Sequence, residues 1–94
     1  MSRSKAEQPK RLAEKLKQIR LALGLTQEGM FQALEKEIKG DSKLHFGYIT
    51  RYESGSRVPS LLVLLAYSQV CSIHLEVLVD DELSLPDKLT YKPV

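Results

Sequence analysis

The 94-residue sequence predicts an all-α protein made of five short helices and an extended C-terminal tail. Apolar residues recur at steps of three and four, the spacing that places side chains on one face of a helix. Glycine, proline and hydroxyl residues interrupt this spacing at short intervals and divide the chain into separate helices. No segment shows the alternation of apolar and polar residues expected of a strand, so the sequence predicts no sheet.

The first predicted helix covers residues 9–23. Its apolar face is formed by residues at steps of four, three and four: Leu12, Leu16, Ile19 and Leu23. Pro9 suits the first turn, where a backbone amide would lack a helical partner. Gly24 suits the left-handed conformation that ends a helix.

The second predicted helix begins after Thr26, whose hydroxyl is a good N-cap for residues 27–38. Apolar residues recur every four positions along it: Met30, Leu34 and Ile38. The sequence Gly40-Asp41-Ser42 then breaks the pattern. It allows either one helix to residue 38 or a helix that stops near Leu34 and starts again.

The third and fifth predicted helices are short. Residues 44–54 end at Gly55 and carry apolar and aromatic side chains at helical steps: Leu44, Tyr48, Ile49 and Tyr52. Residues 75–79 form the fifth helix, with His74 at the cap position. The acidic residues 80–82 that follow oppose the dipole of that helix, and residues 81–94 are predicted to form the extended tail.

The fourth predicted helix, residues 61–71, is apolar on nearly every side. Ser60 caps it, after a loop that contains Pro59. A domain this small cannot bury the whole circumference of one helix, so a partner surface is implied. The alternative is that Leu62 and Leu65 remain half exposed in a monomer.

Size and composition restrict the class of protein. Ninety-four residues fit one small domain, which is marginally stable alone and would gain from oligomerisation. The longest apolar run, residues 61–67, has seven residues and is too short to span a membrane. A single cysteine and an N-terminus without an apolar core predict a cytoplasmic protein rather than a secreted one.

Charge is distributed unevenly along the chain. Residues 1–20 carry seven basic and two acidic side chains, whereas residues 74–94 carry five acidic and two basic ones. A basic N-terminal region suits an anionic partner. A solvated basic helix explains the same pattern equally well.

The sequence offers no constellation for catalysis. His45, His74 and Cys71 are the only histidine and cysteine residues, and no two of them have metal-ligand spacing. Cys71 ends an apolar helix, where a small buried side chain is expected rather than a redox sensor. We therefore predict no catalytic residue, no metal site, no cofactor and no enzyme activity.

Two segments, in this order, resemble the lambda-repressor-like (Cro-repressor-type, XRE) helix-turn-helix family. They are LKQIRLALGLTQE at residues 16–28 and ITRYESGSRVPS at residues 49–60, followed by an apolar helix and a short capped one. The resemblance covers roughly residues 10–80. It implies a flexible basic N-terminal arm at 1–8, a compact five-helix DNA-binding domain at 9–80 and the extended C-terminal tail at 81–94.

The resemblance also implies the residues that contact double-stranded DNA. In this family the third helix enters the major groove, which gives five base-reading positions: His45, Phe46, Gly47, Tyr48 and Arg51. The start of the second helix and the loop after the third meet the phosphate backbone: Thr26, Gln27, Ser54, Ser56 and Arg57. Arg20 and Glu53 match positions that form a partly buried ion pair between the first and third helices.

Some of these roles have alternatives. Arg51 is the strongest base reader because guanidinium pairs with guanine, but a phosphate contact or a free surface position also suits it. Tyr48 suits a base, a phosphate or the core, and His45 suits a helix cap better than a base. Phe46 suits a thymine methyl group or a plug for an inserted segment.

The sequence departs from the family pattern between the second and third helices. Residues 35–43 supply nine positions where the family has about one, and Phe31 stands at the fifth helical position, which is normally small. Together they predict a lengthened second helix and a wider or shifted helix crossing.

The sequence thus predicts a DNA-binding transcriptional regulator, a repressor associated with the nucleoid, which binds two half-sites as a homodimer. The predicted dimer seam lies on the last two helices: Leu62, Leu65 and Val77. The alternative is an antitoxin-like or accessory protein-interaction module, whose C-terminal tail binds a protein partner and which also regulates its own gene.

Overall fold

A computed structural model describes residues 9–38 and 44–91, which form five α-helices. These are α1 (Leu12–Ala22), α2 (Gln27–Glu37), α3 (Phe46–Ser54), α4 (Leu61–Val70) and α5 (Leu75–Val79). Within those residues there is no strand. The all-α prediction is confirmed. The predicted arm at 1–8, residues 39–43 of the insertion and residues 92–94 lie outside the described residues.

The helix boundaries differ little from the predicted ones. α1 begins at Leu12 and α3 at Phe46, each two or three residues later than the apolar spacing indicated. α2 continues without interruption to Glu37, so the first of the two alternatives for that helix is correct. The spacing of side chains locates a helical face but not the residue at which hydrogen bonding starts.

Local capping explains most of the helix ends. The hydroxyls of Thr26 and Ser60 accept hydrogen bonds from the backbone amides of Gly29 (3.0 Å) and Val63 (3.3 Å). Gly24 and Gly55 adopt positive φ angles of 74° and 84° after α1 and α3, where a side chain would be strained. His45 and His74 hold the N-cap positions of α3 and α5, but neither side chain makes a capping hydrogen bond.

The core lies where all five helices converge. α1 packs against α3 and α5, α2 packs against α3 and α4, and α4 packs against α5. The side chains at its centre are completely buried: Leu16, Ile19, Met30, Leu34, Ile49, Tyr67 and Leu78. α3 is thereby supported from two directions, by α1 and by α2.

α4 buries only part of its apolar surface. Leu61 is 68% exposed and Leu62 is 42% exposed, whereas Leu65 is half-buried and Val63 faces the core. Cys71, at the end of this helix, is buried, and burial raises the pKa of its thiol to about 11. The cysteine is therefore a small core residue with little thiolate at neutral pH.

The acidic residues after α5 meet the amino end of α1. The Asp81 carboxylate accepts hydrogen bonds from the backbone amides of Lys10 (2.8 Å) and Arg11 (3.0 Å), which otherwise lack helical partners. Arg11 donates in return to the carbonyl oxygens of Asp81 (2.7 Å) and Leu83 (3.2 Å). Asp81, whose charge opposes the dipole of α5, therefore complements that of α1.

Lys15 makes hydrogen bonds at the other end of the same junction between α1 and α5. This buried lysine donates from Nζ to the carbonyl oxygens of Val77 (2.7 Å) and Asp80 (2.9 Å), at the carboxyl end of α5. Burial lowers the pKa of its amine. We call these contacts of Lys10, Arg11, Lys15 and Asp81 the α1–α5 clasp.

The Asp81 contacts of the clasp make the stability of the domain depend on pH. The backbone amides of Arg11 and Lys10 hold the pKa of Asp81 below its ordinary value. The stabilisation is therefore complete above the unfolded pKa of about 3.9 and is lost as the pH falls through the lower folded value. We expect Asp81→Asn to lower the melting temperature near pH 7, with the difference from wild type shrinking below about pH 4.

Thermal unfolding between about pH 2.5 and 7 measures this effect. The matched control is Asp87→Asn, which removes an exposed charge from the same tail. A difference between Asp81→Asn and wild type that stayed constant over this range would contradict the role given to the carboxylate.

Candidate nucleic-acid interface

One face of α3 is free of the core. Ile49 and Tyr52 are buried against the other helices, and the residues on the opposite side, at steps of four and three, are exposed: Gly47, Arg51 and Ser54. We call these three the outward stripe of α3. It is the surface that a groove or a flat partner can reach without displacing another helix.

A bidentate ion pair holds α3 to α1. The Arg20 guanidinium donates from Nε to Glu53 Oε2 at 2.7 Å and from Nη2 to Glu53 Oε1 at 3.1 Å. Its Nη1 donates to the carbonyl oxygen of Leu25 (3.1 Å), in the turn between α1 and α2. The two charged side chains are only 13% and 5% exposed, and the hydrogen bonds to Glu53 raise the pKa of Arg20.

The first residue of α2 joins the same network. Gln27 donates from Nε2 to Glu53 Oε1 (3.3 Å) and accepts at Oε1 from the hydroxyl of Thr50 (2.8 Å). Both polar atoms of the Gln27 side-chain amide thus make hydrogen bonds within the protein, although the family resemblance implied that Gln27 contacts a DNA phosphate. Its side chain fixes the angle between α2 and α3, while Thr26 is occupied in capping α2.

A polar cleft of about 300 Å³ opens beside this network and is lined by Lys17, Arg20, Gln27, Thr50, Glu53 and Ser54. Lys17 and Thr50 are not among the site residues predicted from the sequence. Lys17 lies three residues before Arg20 and therefore on the same side of α1, a spacing that would have identified it. Thr50 has no comparable signal, because its partner is 23 positions away in the sequence.

The loop after α3 folds back onto the helix. The backbone amides of Ser56 and Arg57 both donate to the carbonyl oxygen of Arg51, at 3.0 and 3.2 Å, and Gly55 makes this reversal possible. The hydroxyls of Ser54 and Ser56 lie 3.1 Å apart and are exposed. The predicted phosphate contacts of this loop are therefore at the surface, beside the end of the outward stripe.

Two aromatic pairs flank the start of α3. Phe46 is 50% exposed and packs edge-on against Phe31, with 5.8 Å between ring centroids. The bulky residue at the fifth position of α2 thus contacts the first residue of α3. On the other flank His45 lies edge-on to Tyr48 at 4.9 Å, instead of using its side chain as a cap.

The described residues hold neither a metal-binding cluster nor a membrane-spanning helix. No three histidine, cysteine, aspartate or glutamate side chains in residues 9–38 and 44–91 are placed to hold a metal ion. In the same residues no helix is both long enough and apolar enough to cross a bilayer.

This arrangement defines a helix-turn-helix domain, in which α2 and the network around Arg20 and Glu53 support an outward-facing α3. A family model described as helix-turn-helix matches residues 16–78, more than half of the chain. The chain belongs to this XRE-type, lambda-repressor-like family, which consists of DNA-binding regulator domains. Neither a search of curated proteins nor a search of solved structures gave a match.

Proposed function

We propose that the protein is a sequence-specific repressor that binds an operator of two half-sites as a homodimer, with α3 in the major groove. The observation that supports this most directly is the outward stripe of α3, exposed on a helix whose orientation is fixed by a largely buried ion pair. A dimer would present two such helices about 34 Å apart, one turn of DNA. A cytoplasmic, nucleoid-associated location accompanies this role.

Arg51 is the principal base reader in this proposal. It is exposed at the centre of the outward stripe, and guanidinium can donate two hydrogen bonds to O6 and N7 of guanine. Gly47 allows close approach of the helix, and Phe46 offers an apolar surface to a thymine methyl group. His45 and Tyr48 lie at the edge of this surface.

Phosphate contacts come from the two ends of the helix-turn-helix unit. Thr26 and Gln27 bring the backbone amides of the first turn of α2 to one strand, where the helix dipole favours an anion. Ser54 and Ser56 supply exposed hydroxyls on the other side. Pro9 and Lys10 line a cleft of about 270 Å³ with Gly55 and Arg57, so the described chain begins beside this loop, consistent with a basic arm that reaches DNA.

The proposed function is tested by DNA binding at two salt concentrations. Purified protein is incubated with DNA from upstream of its own gene and with scrambled DNA of the same composition. A preference of at least about 1,000-fold near 150 mM salt, with a footprint of dimer size, is expected of a specific regulator. Equal binding to both DNAs that disappears as salt rises would leave only electrostatic attraction and contradict the proposal.

The Gly47→Ala variant tests whether the first turn of α3 approaches DNA closely, because it should weaken DNA binding without disturbing the fold. A Cβ added at Gly47 meets no atom within 4 Å, so alanine fits the folded domain. Because Gly47 is in the first turn of α3 rather than in its interior, the gain in the free energy of unfolding should be at most about 0.5 kcal/mol. The same methyl group occupies the outward stripe, where we expect it to weaken operator binding by about tenfold, or 1.4 kcal/mol. Thermal unfolding and operator affinity measure the two effects.

The matched control for Gly47→Ala is Gln18→Ala, a change to alanine at an exposed position of α1. It should leave operator affinity unchanged. Tight operator binding by Gly47→Ala would show that the first turn of α3 does not approach DNA closely.

The dimer seam is proposed to include Leu62, Leu65 and Val77. Leu62 is 42% exposed on α4 beside the still more exposed Leu61, and the other two are half-buried. We expect Leu62→Glu or Leu65→Glu to give monomers, because a carboxylate buried in an apolar seam lacks a partner. Sedimentation equilibrium measures the mass.

Leu21→Glu is the control for the seam, since it makes the same substitution at an exposed position of α1 and should leave a dimer. A dimer mass retained by both leucine variants would move the seam to α5 or to the tail.

The alternative function, a protein-interaction module with the tail as its binding segment, has less support. Leu85, Leu89 and Tyr91 pack against the core of their own domain, and Arg11 holds the start of the tail. A partner would have to displace these contacts. Copurification of a stoichiometric partner from the native host would favour the alternative.

A further inference from the structure

The side chain of Arg57 lies over an aromatic ring of α3, unlike the serine side chains beside it. Its backbone amide donates to the carbonyl oxygen of Arg51, which places the start of the side chain beside the second turn of α3. Its guanidinium carbon lies 3.7 Å from the ring centroid of Tyr48, in the first turn. The side chain therefore runs back along α3 toward the end that begins the proposed groove contact.

The ring beneath the guanidinium is itself held in place. Tyr48 is half-buried, with His45 edge-on at 4.9 Å and Tyr52 tilted against it at 6.1 Å. Burial raises the pKa of the Tyr52 hydroxyl, and the positive charge of Arg57 offsets part of that rise. A cation over an aromatic face is attracted by the ring quadrupole, so the stack restricts Arg57 before DNA is present.

A stacked guanidinium keeps its N–H donors at its rim. In a stack of this kind the ring covers one face of the planar group, and the donors that point outward from the rim remain available for two parallel hydrogen bonds. A phosphate contact requires only charge and tolerates a mobile side chain. A fixed and oriented guanidinium is instead what bidentate recognition of guanine requires.

We infer that Arg57 reads a guanine in the major groove next to the base pair read by Arg51, and that Tyr48 is its positioning residue. This inference rests on the proposed function. It replaces the phosphate contact predicted for Arg57 from its place in the loop. Arg51 and Arg57 would read different base pairs of the same half-site, because Arg51 lies on the outward stripe and Arg57 lies on its Tyr48 flank.

The test is a binding profile over every single base-pair variant of the selected operator. It compares the wild type with Arg57→Lys, which keeps the charge but loses the planar fork. We expect Arg57→Lys to lose a preference of roughly 5- to 150-fold at one G·C pair in each half-site. Its salt dependence and its affinity for unrelated DNA should stay the same, since the charge is retained.

Two variants of Tyr48 test the positioning role. Tyr48→Phe keeps the aromatic face and should keep the wild-type profile. Tyr48→Leu removes the aromatic face and should lose the preference at the same base pair as Arg57→Lys. The preference assigned to Arg51 should remain. Should Tyr48→Leu not fold, the contrast between Arg57→Lys and wild type still decides the role of Arg57.

A different pattern of binding by the Arg57 variants would contradict the inference. If Arg57→Lys keeps the full wild-type profile, and Arg57→Ala weakens binding to all sequences alike and reduces the salt slope by about one, Arg57 contacts phosphate and the inference is wrong. A wild-type profile without any base preference would overturn the proposed function, and this inference with it. A base preference in the wild type that stays unchanged in both Arg57→Lys and Arg57→Ala would overturn the inference alone.

Discussion

Replacing Glu53 by alanine is expected to destabilise the domain by about 2–3 kcal/mol, somewhat less than the 3–5 kcal/mol typical of breaking a fully buried pair. The variant leaves the Arg20 guanidinium in a site where only 13% of its side chain is exposed, with the Leu25 carbonyl as its remaining partner. Gln27 loses a hydrogen bond at the same time. Urea unfolding at neutral pH measures the change.

The control for Glu53→Ala is Glu35→Ala, the same substitution at an exposed position of α2, which should change stability by less than about 0.5 kcal/mol. A double-mutant cycle with Arg20→Ala then isolates the pair. We expect a coupling energy above 1 kcal/mol, larger than the 0.2–1 kcal/mol of exposed ion pairs. A loss below about 1 kcal/mol for Glu53→Ala would show that the pair contributes no more than a surface one.

Replacing Arg51 by alanine is expected to have the largest effect on recognition. Each half-site would lose about 1–3 kcal/mol of discrimination at one base pair, and a dimer loses this twice. Stability and oligomeric state should stay unchanged, because Arg51 is exposed and its backbone carbonyl still accepts from Ser56 and Arg57. Binding of operator and scrambled DNA, measured in parallel, gives the discrimination ratio.

Lys36→Ala is the matched control for Arg51→Ala, since it removes one positive charge from an exposed position of α2. It should leave the discrimination ratio unchanged. Discrimination equal to the wild type in Arg51→Ala would remove this residue from the base-reading set and assign it to phosphate or to the free surface.

The parts of the fold that were predictable depend on signals close together in the sequence. Thr26 and Ser60 cap helices through amides three residues away, and Gly24 and Gly55 end helices through their own backbone angles. Such effects involve one turn of chain and are visible in a short sequence window. They predicted all five helices to within a few residues.

The parts that were not predictable depend on contacts between distant residues. The Asp81 carboxylate caps α1 from 70 positions away, so the sequence showed only an acidic run that opposed its own helix. The partners of Gln27 are likewise on α3, and nothing in the sequence directs its amide inward rather than toward phosphate. Phe31 and Phe46 were recognised separately as departures, but their contact depends on how α2 crosses α3.

The α1–α5 clasp joins residues 10 and 81 by a hydrogen bond, so the start of α1 and the end of α5 lie next to each other. A short linker between these two positions, with a cut in an exposed loop, would give a circular permutant that keeps the five helices and loses the core contacts of Leu85, Leu89 and Tyr91. The domain could also be inserted as a cassette into a surface loop of another protein. In such a chimera, opening of the host loop would pull directly on α1 and α5, and α1 packs against the helix that carries the outward stripe.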